Sequence, residues 1–101
     1  MDRRLRLQRL LVEILGMKHV YHQPPENVKM EYPAIVYSKQ TEDDIFANNL
    51  KYKTQDEYQL TAIDRNPDSE IPGKISKLPF ASHNTRFVKD GLYHNVFTLY
   101  Y

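Results

Sequence analysis

A chain of 101 residues, with 41% hydrophobic and 27% charged residues, has room for one core and not two, so residues 1–101 read as a single soluble globular domain. The formal net charge of +1 supplies no overall pull toward nucleic acid or an anionic membrane. The absence of cysteine excludes disulfides, thiolate chemistry and cysteine-based zinc sites, and no apolar run approaches the roughly 18 residues that cross a bilayer.

The first sixteen residues, MDRRLRLQRLLVEILG, are amphipathic and rich in arginine, as a targeting peptide would be. Glu13 breaks the apolar run and no small-residue cleavage site follows, so the segment reads as a helix from Asp2 to Leu15 in a cytoplasmic protein. Gly16 suits the position just past the helix end. Leu7, Leu11, Ile14 and Leu15, with Leu10 beside them, form an apolar stripe at helical spacing. Arg3, Arg4, Arg6 and Arg9 crowd the N-terminal half, where cations oppose the helix dipole at a cost of about a few tenths of a kcal/mol each. They form either a solvated polar face or a surface that meets acidic groups on a partner.

Met17 to Tyr21 reads as extended, and a proline-containing connection runs from His22 to Glu31. Tyr32-Pro33-Ala34-Ile35-Val36-Tyr37 is a strand with Pro33 as an edge or leading residue. Gln40 to Lys53 is polar, with Glu42, Asp43 and Asp44 followed by Ile45 and Phe46, and reads as a projecting loop or irregular β-arm. Tyr58 to Ile63 is a β-favouring run with one buried face. Asp64 to Asp68 stops it: Asn66 before a proline is extended, Pro67 fixes its own φ, and Asp68 or Ser69 can cap a short following helix. Glu70 lies near that helix's N-terminus, where the dipole favours negative charge. Phe80 to Val88 and Leu92 to Tyr101 form a hairpin about Lys89-Asp90-Gly91. The order of elements predicts an α+β domain: a mixed or antiparallel sheet of four to five strands, with an N-terminal helix and a second short helix packed on it.

Chemistry is sparse. His19 and His22 have a metal-compatible spacing but no acid or histidine nearby completes a set, and Asp64 and Asp68 are explained by turn hydrogen bonds. Pro67-Asp68 starts a nuclease-like pattern that no later lysine completes. Ser69, Ser76 and Ser82 lie in no nucleophile elbow, and glycine is too scarce for a phosphate-cradling loop. The tyrosines and phenylalanines could stack on bases, but the acids among them oppose phosphate binding, and a place in the sheet core or an interface suits them better. The expectation is a protein with no enzymatic activity, cofactor, metal or specific nucleic-acid binding.

The order and spacing of several segments resemble the small tail terminator, or tail completion, proteins of long-tailed bacteriophages, related in architecture to the terminator of lambda-like phages. The resemblance rests on Val20-Tyr21-His22-Gln23-Pro24-Pro25, Tyr32-Pro33-Ala34-Ile35-Val36-Tyr37 and Tyr58-Gln59-Leu60-Thr61. It continues through Ile63-Asp64-Arg65-Asn66-Pro67-Asp68-Ser69, Ile71-Pro72-Gly73-Lys74-Ile75 and Leu78-Pro79, and ends in Leu92-Tyr93-His94-Asn95-Val96-Phe97-Thr98-Leu99-Tyr100. It implies a virion structural protein that caps the tail tube as a hexameric ring, stops its polymerisation and presents a surface to the head. The implied partners are further copies of itself, the tail tube protein and a head connector or completion protein, with no membrane. The implied location is the virion tail, after assembly in the host cytoplasm. A ring subunit needs two complementary side faces. Residues 1–20 carry five Lys/Arg against two Asp/Glu, a local +3, and residues 41–70 carry three against eight, a local −5. Arg3, Arg4, Arg6 and Arg9 on one side, and Glu42, Asp43, Asp44, Ile45 and Phe46 on the other, are therefore the candidate contact residues; neutralisation within one chain is the competing explanation. The alternatives are a head–tail connector or joining protein and, from a different class, a small RNA- or protein-binding regulatory domain.

Overall fold

The structure is a computed structural model, and the residues it describes are 3–23, 29–40 and 56–101. Chain order is α1 (Arg3–Leu15), β1 (Val20–His22), β2 (Ala34–Lys39), β3 (Glu57–Asp64), α2 (Ile71–Ser76), β4 (Ala81–Lys89) and β5 (Leu92–Tyr100). The strands form one five-stranded sheet in the order β1-β2-β3-β5-β4. Among the described residues β1 and β2 are the one parallel pair, and every other neighbouring pair is antiparallel. The α+β expectation, with a mixed sheet and two helices, is what the chain adopts.

Side-chain alternation places the core. Ile35 and Tyr37 of β2, Tyr58, Leu60 and Ala62 of β3, and Phe97 and Leu99 of β5 share one sheet face through the strand register. Leu7, Leu11 and Leu15, one helical turn apart, and Ile75 of α2 pack onto that face in a single buried cluster. Both helices therefore lie on the same side. Among the described residues no helix covers the other face, where Val36, Thr61, Val96 and Thr98 are half-buried.

Two glycines act through their backbone. Gly16 follows α1 with φ +83° and donates its N–H to the Val12 carbonyl at 2.8 Å, closing the helix as its place in the sequence suggests. Asp90 and Gly91, at φ +55° and +74°, make the two-residue turn whose twist matches a hairpin.

Several local expectations need correction. Met17–Tyr21 does not form the extended element as a unit: only Val20–His22 is strand, paired alongside Ile35–Tyr37. β2 begins at Ala34, after a cis Tyr32–Pro33 peptide, and is an interior strand, so Pro33 leads it and marks no edge. The cap of α2 is Glu70, whose side chain makes no capping hydrogen bond. Ser69 Oγ instead accepts the Ile71 N–H at 3.2 Å. Asp68 does not cap; its own N–H donates to Asn66 Oδ1 at 2.9 Å, and the Asn66 N–H donates to Asp64 Oδ1 at 3.1 Å. Two linked Asx turns thus end β3. The sequence offers several side chains able to cap within three residues, and of the two expected, Ser69 takes the bond while Asp68 enters the turn through its backbone N–H. The loop or β-arm reading of Gln40 to Lys53 falls almost wholly outside the described residues.

Candidate interaction surface

The basic residues of α1 divide by helical position. Leu7 and Leu11 point into the core, so positions 6, 9 and 13 fall on the outer side, and Arg6, Arg9 and Glu13 are exposed. Arg3 begins the helix. Arg4 turns toward the sheet, where its Nη1 donates to the Tyr37 hydroxyl at 3.4 Å. The Tyr37 hydroxyl donates in turn to Gln8 Oε1, and Gln8 Nε2 donates to the Val20 carbonyl at 3.3 Å. These bonds satisfy a buried phenol and fix α1 against β1 and β2.

His22 completes this cluster, with its ring 4.9 Å from that of Tyr37. Burial, together with the nearby Arg4 charge, holds its pKa below the ordinary histidine value, so the neutral imidazole is favoured. His19 is engaged elsewhere: its Nδ1 donates to the Pro33 carbonyl at 3.2 Å, and its Nε2 lies 3.6 Å from Glu31. The two histidines do not converge, and among the described residues no three His, Asp or Glu side chains are grouped to hold a metal ion.

Among the described residues, two of the concavities lie against the sheet. One, of about 130 Å³, lies where the Asp64–Ser69 turns meet the helix-bearing side of the sheet, with Arg86, Tyr93 and Asn95 on its floor. Its polar groups already bond within the fold: Arg86 Nη2 donates to the Pro67 carbonyl at 3.3 Å, its guanidinium lies 5.3 Å from the Tyr93 ring centre, and Asn95 Oδ1 accepts from His83 Nε2 at 3.0 Å. No nucleophile paired with a base lies among these side chains. The other, of about 330 Å³, is an apolar groove between Leu10 of α1 and Leu78, Phe80, Leu99 and Tyr101. Phe80 is 66% exposed and sits at φ +65°, a backbone region that disfavours a bulky residue. An exposed phenylalanine held there is a feature of this surface that the sequence does not signal, because positive φ leaves no mark in the residue type.

Of the candidate contact residues, Arg6 and Arg9 lie on the exposed outer face of α1, Arg4 is drawn into the Tyr37 cluster, and Arg3 stands at the helix start. Glu42, Asp43, Asp44, Ile45 and Phe46 lie outside the described residues. The aromatics expected in the sheet core or an interface divide as well. Tyr37, Tyr58 and Phe97 are buried, whereas Phe80, Phe87 and Tyr100 are exposed. Among the described residues no helix is long and apolar enough to cross a membrane. Comparison of the chain with protein-family models, with curated proteins and with solved structures gives no match.

Proposed function

We propose that this protein is a virion structural protein that caps the tail tube of a long-tailed bacteriophage as a ring, ends tail polymerisation and offers a surface for head attachment. The reading rests on the tail-terminator resemblance. The observation that best supports it is the exposed basic face of α1, with Arg6 and Arg9, on a chain whose residues 41–70 are strongly acidic. Opposite charge on two separate segments suits a heterologous contact that closes on itself after a fixed number of subunits. In this reading the arginine face of one subunit meets Glu42, Asp43 and Asp44 of the next, with Ile45 and Phe46 as apolar anchors. No catalysis is required of such a subunit.

Paired charge reversal tests the contact. Asp43→Lys with Asp44→Lys, or Arg6→Glu with Arg9→Glu, should each weaken assembly most at low salt, and the combined variant should regain part of the loss. Phe46→Ala should weaken assembly with little dependence on salt. Sedimentation of folded variants that assemble like the parent at every salt concentration would refute the contact.

The open sheet face, with Phe87 stacked on His94, favours a second reading as an RNA-binding module, because rings on such a face can stack on bases. A monomer that binds oligonucleotide with a steep salt dependence would select it.

A further inference from the structure

The outer strand of the hairpin differs from the other strands. β4 is nine residues long, ends the sheet among the described residues, and is exposed at every position after Ala81; Phe87 is 44% and Val88 58% exposed. The opposite edge, β1, has only three residues. A long exposed edge is a template for another strand. The single irregularity in β4, between His83 and Thr85, leaves Thr85–Lys89 as a regular run.

The direction of each backbone group in that run follows from the turn. A two-residue hairpin closes on a hydrogen-bonded pair, here Lys89 with Leu92. Alternation then turns the N–H and C=O of Phe87 inward to His94, and those of Arg86 and Val88 outward. Along β5 this parity holds to the far end of the hairpin, where the Tyr100 N–H bonds to the Phe80 carbonyl at 3.2 Å, whereas on β4 the inward-facing positions change from odd to even across the bulge.

We propose that β4 pairs antiparallel with β4 of a second copy of this chain, about a twofold axis at Phe87, joining the two sheets edge to edge. In this register Arg86 stands opposite Val88 of the partner subunit, and Thr85 opposite Lys89 of the partner subunit. No like charges face each other, although β4 carries Arg86 and Lys89 and no acid. Moving the axis to Arg86 would set that residue against itself. Moving it to Val88 would set Phe87 against a lysine. The register centred on Phe87 also extends an existing stack: Phe87 lies on His94 with ring centres 4.6 Å apart and planes 10° apart, and pairing continues these rings across the axis. The outward groups of Arg86 and Val88 then exchange hydrogen bonds on both sides of the axis. Beyond Thr85 the bulge reverses side-chain parity, so the pairing stops there and the dimer is weak. This contact is isologous, whereas a ring contact is heterologous, so it belongs to the free subunit and stands or falls apart from the ring reading.

The chain has no cysteine, so one introduced thiol reports on one position. Phe87 would face its counterpart as a non-hydrogen-bonded pair, with Cα atoms about 4.5 Å apart and within the range of about 4.4–6.8 Å that a disulfide spans. Oxidation of the F87C protein without tail tubes should give a covalent dimer, and V88C should give several-fold less because its counterpart is offset along the strand. Adding Val88→Pro to the F87C protein removes an outward N–H and leaves the pairing with β5 intact, so crosslinking should fall to the V88C level, with folding checked by circular dichroism. Equal crosslinking of F87C and V88C would overturn the proposal, and so would crosslinking of F87C that a folded Val88→Pro variant leaves unchanged. Should Val88→Pro fail to fold, the ratio between the two single-cysteine proteins decides.

Discussion

His22 links a single side chain to the pH response of the whole fold. Its pKa is lowered in the folded protein from 6.5, first by burial and then by Arg4. The unfolded chain therefore binds the proton first as pH falls, and stability rises with pH where the unfolded state holds more protons. The His22 contribution is complete above the unfolded pKa and declines as pH drops from there toward the depressed folded value. Thermal melts between about pH 7.5 and pH 5 should show this decline, and His22→Gln should flatten it. An unchanged slope in the variant would move the effect to another group. Arg4→Gln should shift the folded His22 pKa upward, as read by an NMR titration of its ring. This site was hard to find in the sequence. His19 and His22 look like a pair there, and only the strand register shows that one packs its ring against Tyr37 while the other binds the Pro33 carbonyl.

At the scale of elements, the turn after β3 allows a sharp contrast between neighbours. Ser69→Ala removes the acceptor of the Ile71 N–H and should cost about 0.5–1.5 kcal/mol. Asp68→Ala keeps the backbone N–H that reaches Asn66 and should stay within about 0.5 kcal/mol of the parent. Chemical denaturation of both proteins checks the order, and a larger loss at Asp68 would return the capping role to its carboxylate. The elements themselves were largely legible. Leucines at Leu7, Leu11 and Leu15 mark a helix stripe, Tyr58-Leu60-Ala62 marks a strand face, and Asp90-Gly91 marks the hairpin. Three features were not. β1 is too short to carry a pattern of its own and owes its strand character to pairing with β2. The cap of α2 had several eligible side chains. In β4 the bulge reverses the alternation, so its faces cannot be counted from the residues alone.

For the whole molecule, near-neutrality conceals a basic start and an acidic middle. The basic half of that asymmetry stands on an exposed helix face, since core packing of Leu7 and Leu11 forces Arg6 and Arg9 outward. The acidic half divides: Glu42, Asp43 and Asp44 fall outside the described residues, so their charge has no position to set beside the arginines, whereas Asp56 pairs with Lys39 at 3.7 Å and Asp64 accepts the Asn66 N–H. The α+β class followed from local signals, each of which reports on its own segment. The proposed assembly does not follow from such signals, because a ring contact is a relation between two surfaces and leaves no periodicity in either. Its direct test is the mass and shape of the particle. The purified protein, alone and mixed with tail tubes of the cognate phage, should be examined by sedimentation and electron microscopy. The account predicts a closed ring, of about six subunits by the terminator resemblance, seated on one end of the tube and halting further growth. A protein that remains without ring assembly when tubes are present, and leaves their elongation unchanged, would contradict it.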